Sequence, residues 1–459
     1  MRTTIVILAL TVATAVRAQS PAANGDANRI VDTILAGSRG YETLAYLTDN
    51  IGPRLSGSKG AELAVRWTSK QLRDWGLEVR TEKVMVPHWV RGEERGRLVS
   101  HNDQKLVLTA LGGSVATPPS GITADVVEVT SYDELAKLGR EKLKGKIVFF
   151  YHPMDLKLVA SGRAFEAYRL AVEFRGNGPS RAAEYGAAAV VIRSVASASL
   201  RTPHTGALRY DEKQPKIPGA ALTTEDADLV HRLIAKGERV RMQLVLTPRS
   251  LPDVESSNVI AEIRGSEHPE QIVLIGGHLD SWDLGTGAID DGSGVSMVME
   301  TLRTLKELGI QPKRTIRGVL FMNEENGLRG GHAYFDAASA REEVQKHVAV
   351  IETDAGAAPP VGFTSTLEGK ELDAFKKRMT VLGRIVPAMY FESSKHTGAD
   401  TSPLTDAGVP GFGFVPDPLH YFDFHHTPAD TLDKVDPKAL AQDTAAIAAL
   451  AYELAQNGL

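Results

Sequence analysis

Between residues 276 and 294 the chain reads GGHLDSWDLGTGAIDDGSG, and His278, Asp280 and Asp290 in that stretch are of types that bind divalent cations. Downstream stand Glu324 and Glu325, Asp354 and His426, each at the end of an apolar run or in a turn-rich segment, where side chains can converge on a cleft. Two imidazoles and several carboxylates in that arrangement suit a pair of divalent metals, and with them a metallohydrolase. His278 and Asp280 share one face of an extended chain, which lets Asp280 accept the second N–H of a ligating His278 and fix its tautomer. Asp290 and Asp291 occupy a tight loop before a helix; a carboxylate has two oxygens and can bridge two cations, the role assigned to Asp290, while Asp291 or Ser293 can cap the helix. Adjacent carboxylates near cations can divide labour, so Glu324 is assigned as general base and Glu325 as ligand. Asp354 and His426 supply one further ligand each. A His and carboxylate set without thiolate suits zinc, with cobalt or manganese as substitutes.

The rest of the composition narrows the class. At 459 residues the chain can bury more than one core, and its net charge of -5 is spread over interspersed acids and bases, which gives no footprint for nucleic acid or an anionic membrane. There is no cysteine, so neither disulfides nor thiolate ligands are available. No GxSxG or HExxH motif occurs, and His88, His268, His332 and His347 lack neighbours that would make them ligands. At the N-terminus a positive start, an apolar run over residues 5–16 and small residues before a polar stretch predict an export leader cleaved after Ala18. The run is shorter than the roughly 20 residues a spanning helix needs. The mature protein is therefore expected to be exported, periplasmic or extracellular.

The elements that must position these residues follow from periodicity. Residues 28–50 and 60–75 read as helices separated by a turn-rich loop at 51–58, and 77–86 as a strand. From about residue 118 short β-rich runs at 126–129, 146–151 and 188–192 alternate with helical stretches at 165–174, 180–185 and 224–236, followed by a strand at 240–246. Residues 118–250 thus read as an inserted small α/β domain, with 251–257 as a polar return linker, dividing the metal-bearing domain into 19–117 and 251–459. The second part alternates apolar strands with amphipathic helices, predicting an α/β fold with a mainly parallel central sheet covered on both faces. Sites in such sheets gather at the carboxyl ends of strands, where His278, Glu324 and Asp354 fall.

Taken together, the 276–294 stretch, NEENGLRGG, ETDAG and HHTPADT resemble the co-catalytic zinc exopeptidases that include secreted aminopeptidases and glutamate carboxypeptidases. Residues 192–197, 203–206 and 422–430 match as well, so the resemblance spans most of the mature chain. It implies two zinc ions, one held by His278 and Asp354, the other by Glu325 and His426, with Asp290 between them and Glu324 as base; His425 competes with His426, but the H-T-x-x-D-T spacing favours His426. It also implies that residues 118–250 are a protease-associated domain roofing the cleft, and that a homodimer hydrolyses short peptides or dipeptides with free ends. Carboxypeptidase, aminopeptidase and dipeptidase selectivity stay open at this point. Arg193 and His204 are candidates for capturing a free terminus, and residues 395–404 for lining the substrate pocket. A single-zinc glutaminyl cyclase and a non-catalytic receptor-like protein share the fold; the full ligand set argues against the latter.

Overall fold

The computed structural model describes residues 21–459, so the leader expected at 1–18 lies outside the described residues. Two eight-stranded sheets organise the chain. At the centre of the first, strands Arg314–Phe321, His268–His278, His347–Glu352 and Gly411–Pro416 lie side by side and parallel. Antiparallel strands flank it: Arg249–Ile263 and Glu78–Val90 extend one edge, while Pro360–Ser365 runs antiparallel to Gly411–Pro416 on the other and pairs in turn, in parallel, with Tyr390–Ser393. The expected parallel sheet is thus the core of a mixed one. Its apolar runs are continuous because both faces are covered. Val273, Ile275, Ala349 and Ile351 join the core that includes helices Ser293–Glu307 and Pro437–Asn457, whereas Leu274, Val319, Phe321 and Val350 meet Tyr334 and Ala338 of helix Arg329–Ala340.

The second sheet runs, edge to edge, through Gln104–Leu106, Glu94–Leu98, Arg241–Leu246, Ile122–Val129, Ile147–Phe150, Ala189–Arg193, Gly219–Leu222 and Leu108–Ala110. Its strands before residue 118 carry little signal in the sequence, since Glu94–Leu98 reads ERGRL and has a single apolar residue. Residues 251–257 are not a linker. They belong to Arg249–Ile263, which pairs antiparallel with Glu78–Val90 from Glu78↔Glu262 to Val90↔Arg249. This two-stranded ribbon is exposed over its outer half, so a strand reads there as polar sequence. The helices expected at 165–174 and 180–185 are one helix, Ala164–Glu184, which continues through Gly176, Gly178 and Pro179. The helix persists because Gly178 lies against Phe150 and Pro179 against Gly219, packing that outweighs poor local propensity. Among the described residues no helix is long and apolar enough to cross a membrane.

Candidate metal centre

Three neighbouring parallel strands deliver the first group of side chains. His278 ends its strand opposite Phe321, and Gly276 lies opposite Glu352, so the segments carrying Glu324 and Asp354 emerge on either side of His278. Asp290 comes from the loop between the His278 strand and helix Ser293–Glu307. That helix starts close to the strand because a Cβ on Gly277 would meet Asp291 Oδ2 at 2.6 Å, and one on Gly294 would meet Asp291 Oδ1 at 2.3 Å. In the space so left, the Asp291 carboxylate accepts the N–H of His278 at 3.0 Å and that of Gly294 at 3.0 Å. It caps the helix and ties the helix to the strand.

Asp290 sits between two imidazoles. Its Oδ1 is 3.1 Å from His278 Nε2, and its Oδ2 is 3.1 Å from His426 Nε2. Asp354 Oδ1 lies 3.6 Å from His278 Nε2, and Glu325 Oε2 lies 3.1 Å from His426 Nε2. His425, stacked on His426 with ring centroids 3.5 Å apart, reaches Asp290 Oδ2 at 3.4 Å. Only His426 of the two is ion-paired to Glu325. Ligand atoms of His278, Asp290 and Glu325 lie within 4.8 Å of one another, as do those of His278, Asp291 and Asp354 and those of Asp290, His425 and His426.

Burial dominates the electrostatics. It pushes Glu324 well above the ordinary carboxyl range, with Asp354 and Glu325 adding repulsion, and it pushes Glu325 up to about 7. His426 would be lowered by burial, but Glu325 and Asp290 overcome this and bring it up to about 9. Burial, reinforced by His426, holds His425 well below the usual imidazole range. Among the described residues no lysine or arginine ion-pairs with Asp290, Glu324, Glu325 or Asp354; the ion-pair partners of Asp290, Glu325 and Asp354 are imidazoles. A buried acid cluster compensated in this way fits divalent cations held by nitrogen and oxygen donors. The site binds metal.

Asp280 acts differently from the expectation. His278 Nδ1 is 3.0 Å from the carbonyl oxygen of Asp280 but 3.8 Å from its carboxylate. The carboxylate instead accepts the N–H groups of Asn323 at 2.7 Å and Glu324 at 3.1 Å, which fixes the turn presenting Glu324 and Glu325. Arg54 was missed altogether. Fully buried, it donates to the carbonyls of Leu279 at 2.9 Å, Thr286 at 2.6 Å, Gly287 at 2.9 Å and Gly52 at 3.1 Å, pinning the glycine-rich loop from behind. Asp430 of the HHTPADT segment pins the same loop, accepting from Ala288 at 2.8 Å and Ile289 at 2.7 Å.

The second sheet unit forms the opposite wall. Trp282 projects from the metal-bearing loop into that unit's core, beside Leu108, Ala110 and Leu222. The 203–206 and 422–430 segments meet through Thr205 N–H to His426 O at 3.0 Å, and Ser197 N–H reaches Phe422 O at 3.2 Å. His426 itself has φ 62°, a backbone region rare for non-glycine residues. A cleft of about 460 Å³ opens between the walls, lined by Asp290, Glu324, Glu325, Asp354, Tyr168 and Arg175. His204 is buried rather than exposed, and Arg193 is occupied by Asp228 at 2.9 Å, so Arg193 has its own partner. Residues 396–399 line an adjoining cavity of about 430 Å³, together with Tyr390 and Phe414; it shares Asp354 and Phe165 with the cleft.

The family pattern of peptidase family M28 matches residues 258–451, the part that carries these side chains. Bovine carboxypeptidase Q is 41% identical over 92% of this chain and 86% of its own length. The chain belongs to peptidase family M28. The crystal structure of a peptidase M28 precursor from Shewanella amazonensis superposes with a TM-score of 0.90 at 37% identity, covering 95% of this chain and 98% of that one. Aminopeptidase YwaD of Bacillus subtilis is 25% identical over 90% of this chain and 84% of its own length. With its metal-binding cluster and these relatives, this M28 chain is a metallo-exopeptidase.

Proposed function

We propose that the protein holds two zinc ions and hydrolyses dipeptides or short peptides from a free carboxyl end, in the manner the name carboxypeptidase Q describes. The observation that carries the reading is Asp290, whose two carboxylate oxygens face different imidazoles, His278 on one side and His426 on the other. In this arrangement His278 with Asp354, and Glu325 with His426, would each hold one ion, and Asp290 would be shared. Cobalt or manganese would suit the same donors. Bound divalent cations would supply Lewis acidity to the scissile carbonyl and lower the pKa of the attacking water.

The chain's own residues then have separable tasks. Glu324 lines the cleft without an ion-pair partner among the described residues, and burial keeps its proton affinity high, which suits a group that takes a proton from water and delivers it to the leaving amine. Asp280 holds that residue's backbone in place through the Asn323 and Glu324 amides. The second sheet unit would act as a protease-associated domain that narrows the cleft and excludes water, a role supported by the lining positions of Tyr168 and Arg175. Export by a cleaved leader and action as a homodimer belong to the same proposal.

The test pairs elemental analysis with a panel of dipeptides and longer peptides blocked at either end. The reading expects two zinc ions per chain, reversible loss of activity with chelator, and cleavage that survives an N-terminal block but not a C-terminal one. The reverse pattern would favour the aminopeptidase reading, which YwaD supports. Equal cleavage of both blocked forms would defeat any exopeptidase.

A further inference from the structure

Where the chain leaves the first sheet, directly after strand Glu78–Val90, it sets an arginine against segments far apart in sequence. The Arg91 side chain is only 11% exposed, and its guanidinium takes both carboxylate oxygens of Asp283, through Nε at 2.8 Å and Nη2 at 2.7 Å. Nη2 also donates to Thr205 Oγ1 at 3.1 Å, while Nη1 reaches Ala110 O at 2.7 Å and Glu94 Oε1 at 2.9 Å. Asp283 belongs to the loop that carries Asp290, whereas Ala110 and Glu94 belong to the second sheet. A planar guanidinium with five donors can hold these acceptors in one geometry. Fastening the two units together would need only the Asp283 and Glu94 pairs. The bond to Thr205 has a different consequence.

Thr205 is fully buried and grips His426 twice through its main chain. Its N–H donates to His426 O at 3.0 Å, and its carbonyl oxygen lies 3.3 Å from His426 Nδ1. An imidazole that offers Nε2 to a cation keeps its proton on Nδ1, and a carbonyl facing that proton fixes both the tautomer and the ring plane. Glu325, the partner of His426, is held from the other side. Its Oε1 accepts the Trp282 N–H at 3.1 Å, and its Oε2 faces His426 Nε2 at 3.1 Å. Trp282 directly precedes Asp283, so the contacts close a ring from Arg91 through Thr205, His426, Glu325, Trp282 and Asp283 back to Arg91. We infer that Arg91 is a positioning residue for the Glu325 and His426 half of the metal centre, setting the distance between those two donors through Thr205 and Asp283. His278 and Asp354 follow strand ends of the first sheet and stand outside the ring. The inference rests on the proposed two-zinc reading, and it goes beyond that reading by making one ion, and not the other, depend on the second sheet unit.

The test separates the two halves by metal retention rather than turnover. Zinc per chain is measured by elemental analysis after equilibrium dialysis against graded chelator. Arg91→Lys keeps the charge but loses the planar fork, and Thr205→Val keeps the shape but loses the hydroxyl. Each should release one of two zinc ions at a chelator concentration roughly 10–100-fold lower than wild type needs, with the other ion held as before. Thr205→Ser restores the hydroxyl and should retain both. The near-isosteric Thr205→Val keeps the test available if Arg91→Lys folds poorly. Retention of both ions as in wild type overturns the assignment. So does parallel release of both, the result of a loosened junction with no part in the site, and so does release from Thr205→Ser equal to that from Thr205→Val. A single zinc in wild type would defeat the two-zinc reading instead, and the assignment would then stand or fall on whether Arg91→Lys weakens that one ion.

Discussion

One wall of the cleft is the carboxyl edge of the first sheet, where His278, Glu324 and Asp354 follow three adjacent parallel strands and acidic side chains crowd together. The other is made by the second sheet unit, where helix Ala164–Glu184 and the 203–209 segment present arginines and aromatic rings. In the first wall each side chain is placed by a strand end a few residues away. In the second, placement depends on packing between distant segments. The difference teaches two kinds of placement: the strand edge gathers the metal-binding acids and imidazoles by local order, and the apposed unit sets basic and aromatic side chains opposite them by packing.

Glu324→Gln should make the sharpest cut between the walls. Loss of a general base is expected to lower kcat by roughly 10²–10⁴ with metal content unchanged, measured by dipeptide turnover beside elemental analysis. Parallel loss of metal would move Glu324 from proton carrier to ligand. Trp282→Ala should come next, because the ring from the metal-bearing loop fills the second unit's core; a large-to-small change there costs about 3–5 kcal/mol, readable from denaturant unfolding. A negligible change would mean that the walls are not joined through this side chain.

Asp280→Asn tests the first wall alone. Its carboxylate fixes the turn that carries Glu324, so activity or metal affinity should fall by roughly 10–100-fold, with kcat hit harder than KM. The frame beneath that wall has its own titration. His347 is buried, with Nε2 2.8 Å from the Tyr334 hydroxyl and Nδ1 2.9 Å from Glu343 O, and burial pushes it down to about 4. The unfolded chain then binds a proton at this site that the folded chain refuses. Stability from His347 should be complete above pH 6.5 and drain away as pH falls toward 4, by at most about 1.4 kcal/mol per pH unit. Unfolding curves of wild type and His347→Gln across that range should converge at the acid end; parallel curves would remove His347 from the account. Smallest of all, Arg193→Gln should leave the preference for free over amidated C-termini unchanged, since Asp228 already occupies that guanidinium.

Much of the first wall was legible because its logic is local. An apolar run followed by His278, Glu324 or Asp354 announces a buried strand and the group at its end, and the chain-wide spacing of such ends gave the candidate set. Asp280 shows where local logic stops. Two residues from His278, it was expected to orient that ring with its carboxylate, but the carbonyl does so and the carboxylate serves the neighbouring strand. Arg54 carried no signal, because a lone arginine in a turn becomes informative only when the carbonyls of residues 279, 286 and 287 close around it. Arg175 was obscured further by the Gly176, Gly178 and Pro179 that follow it, residues that stop most helices and here let one pack closely.

The sequence by itself determined the donor types, their order and the strand ends that carry them, since apolar periodicity and residue chemistry are properties of short segments. Tertiary structure alone decided that Arg54 and Trp282 fasten the loop from opposite sides, and that Arg175 faces the acids across the cleft. Those relations exist only once segments hundreds of residues apart are packed together, where burial sets the strength of every charge they share.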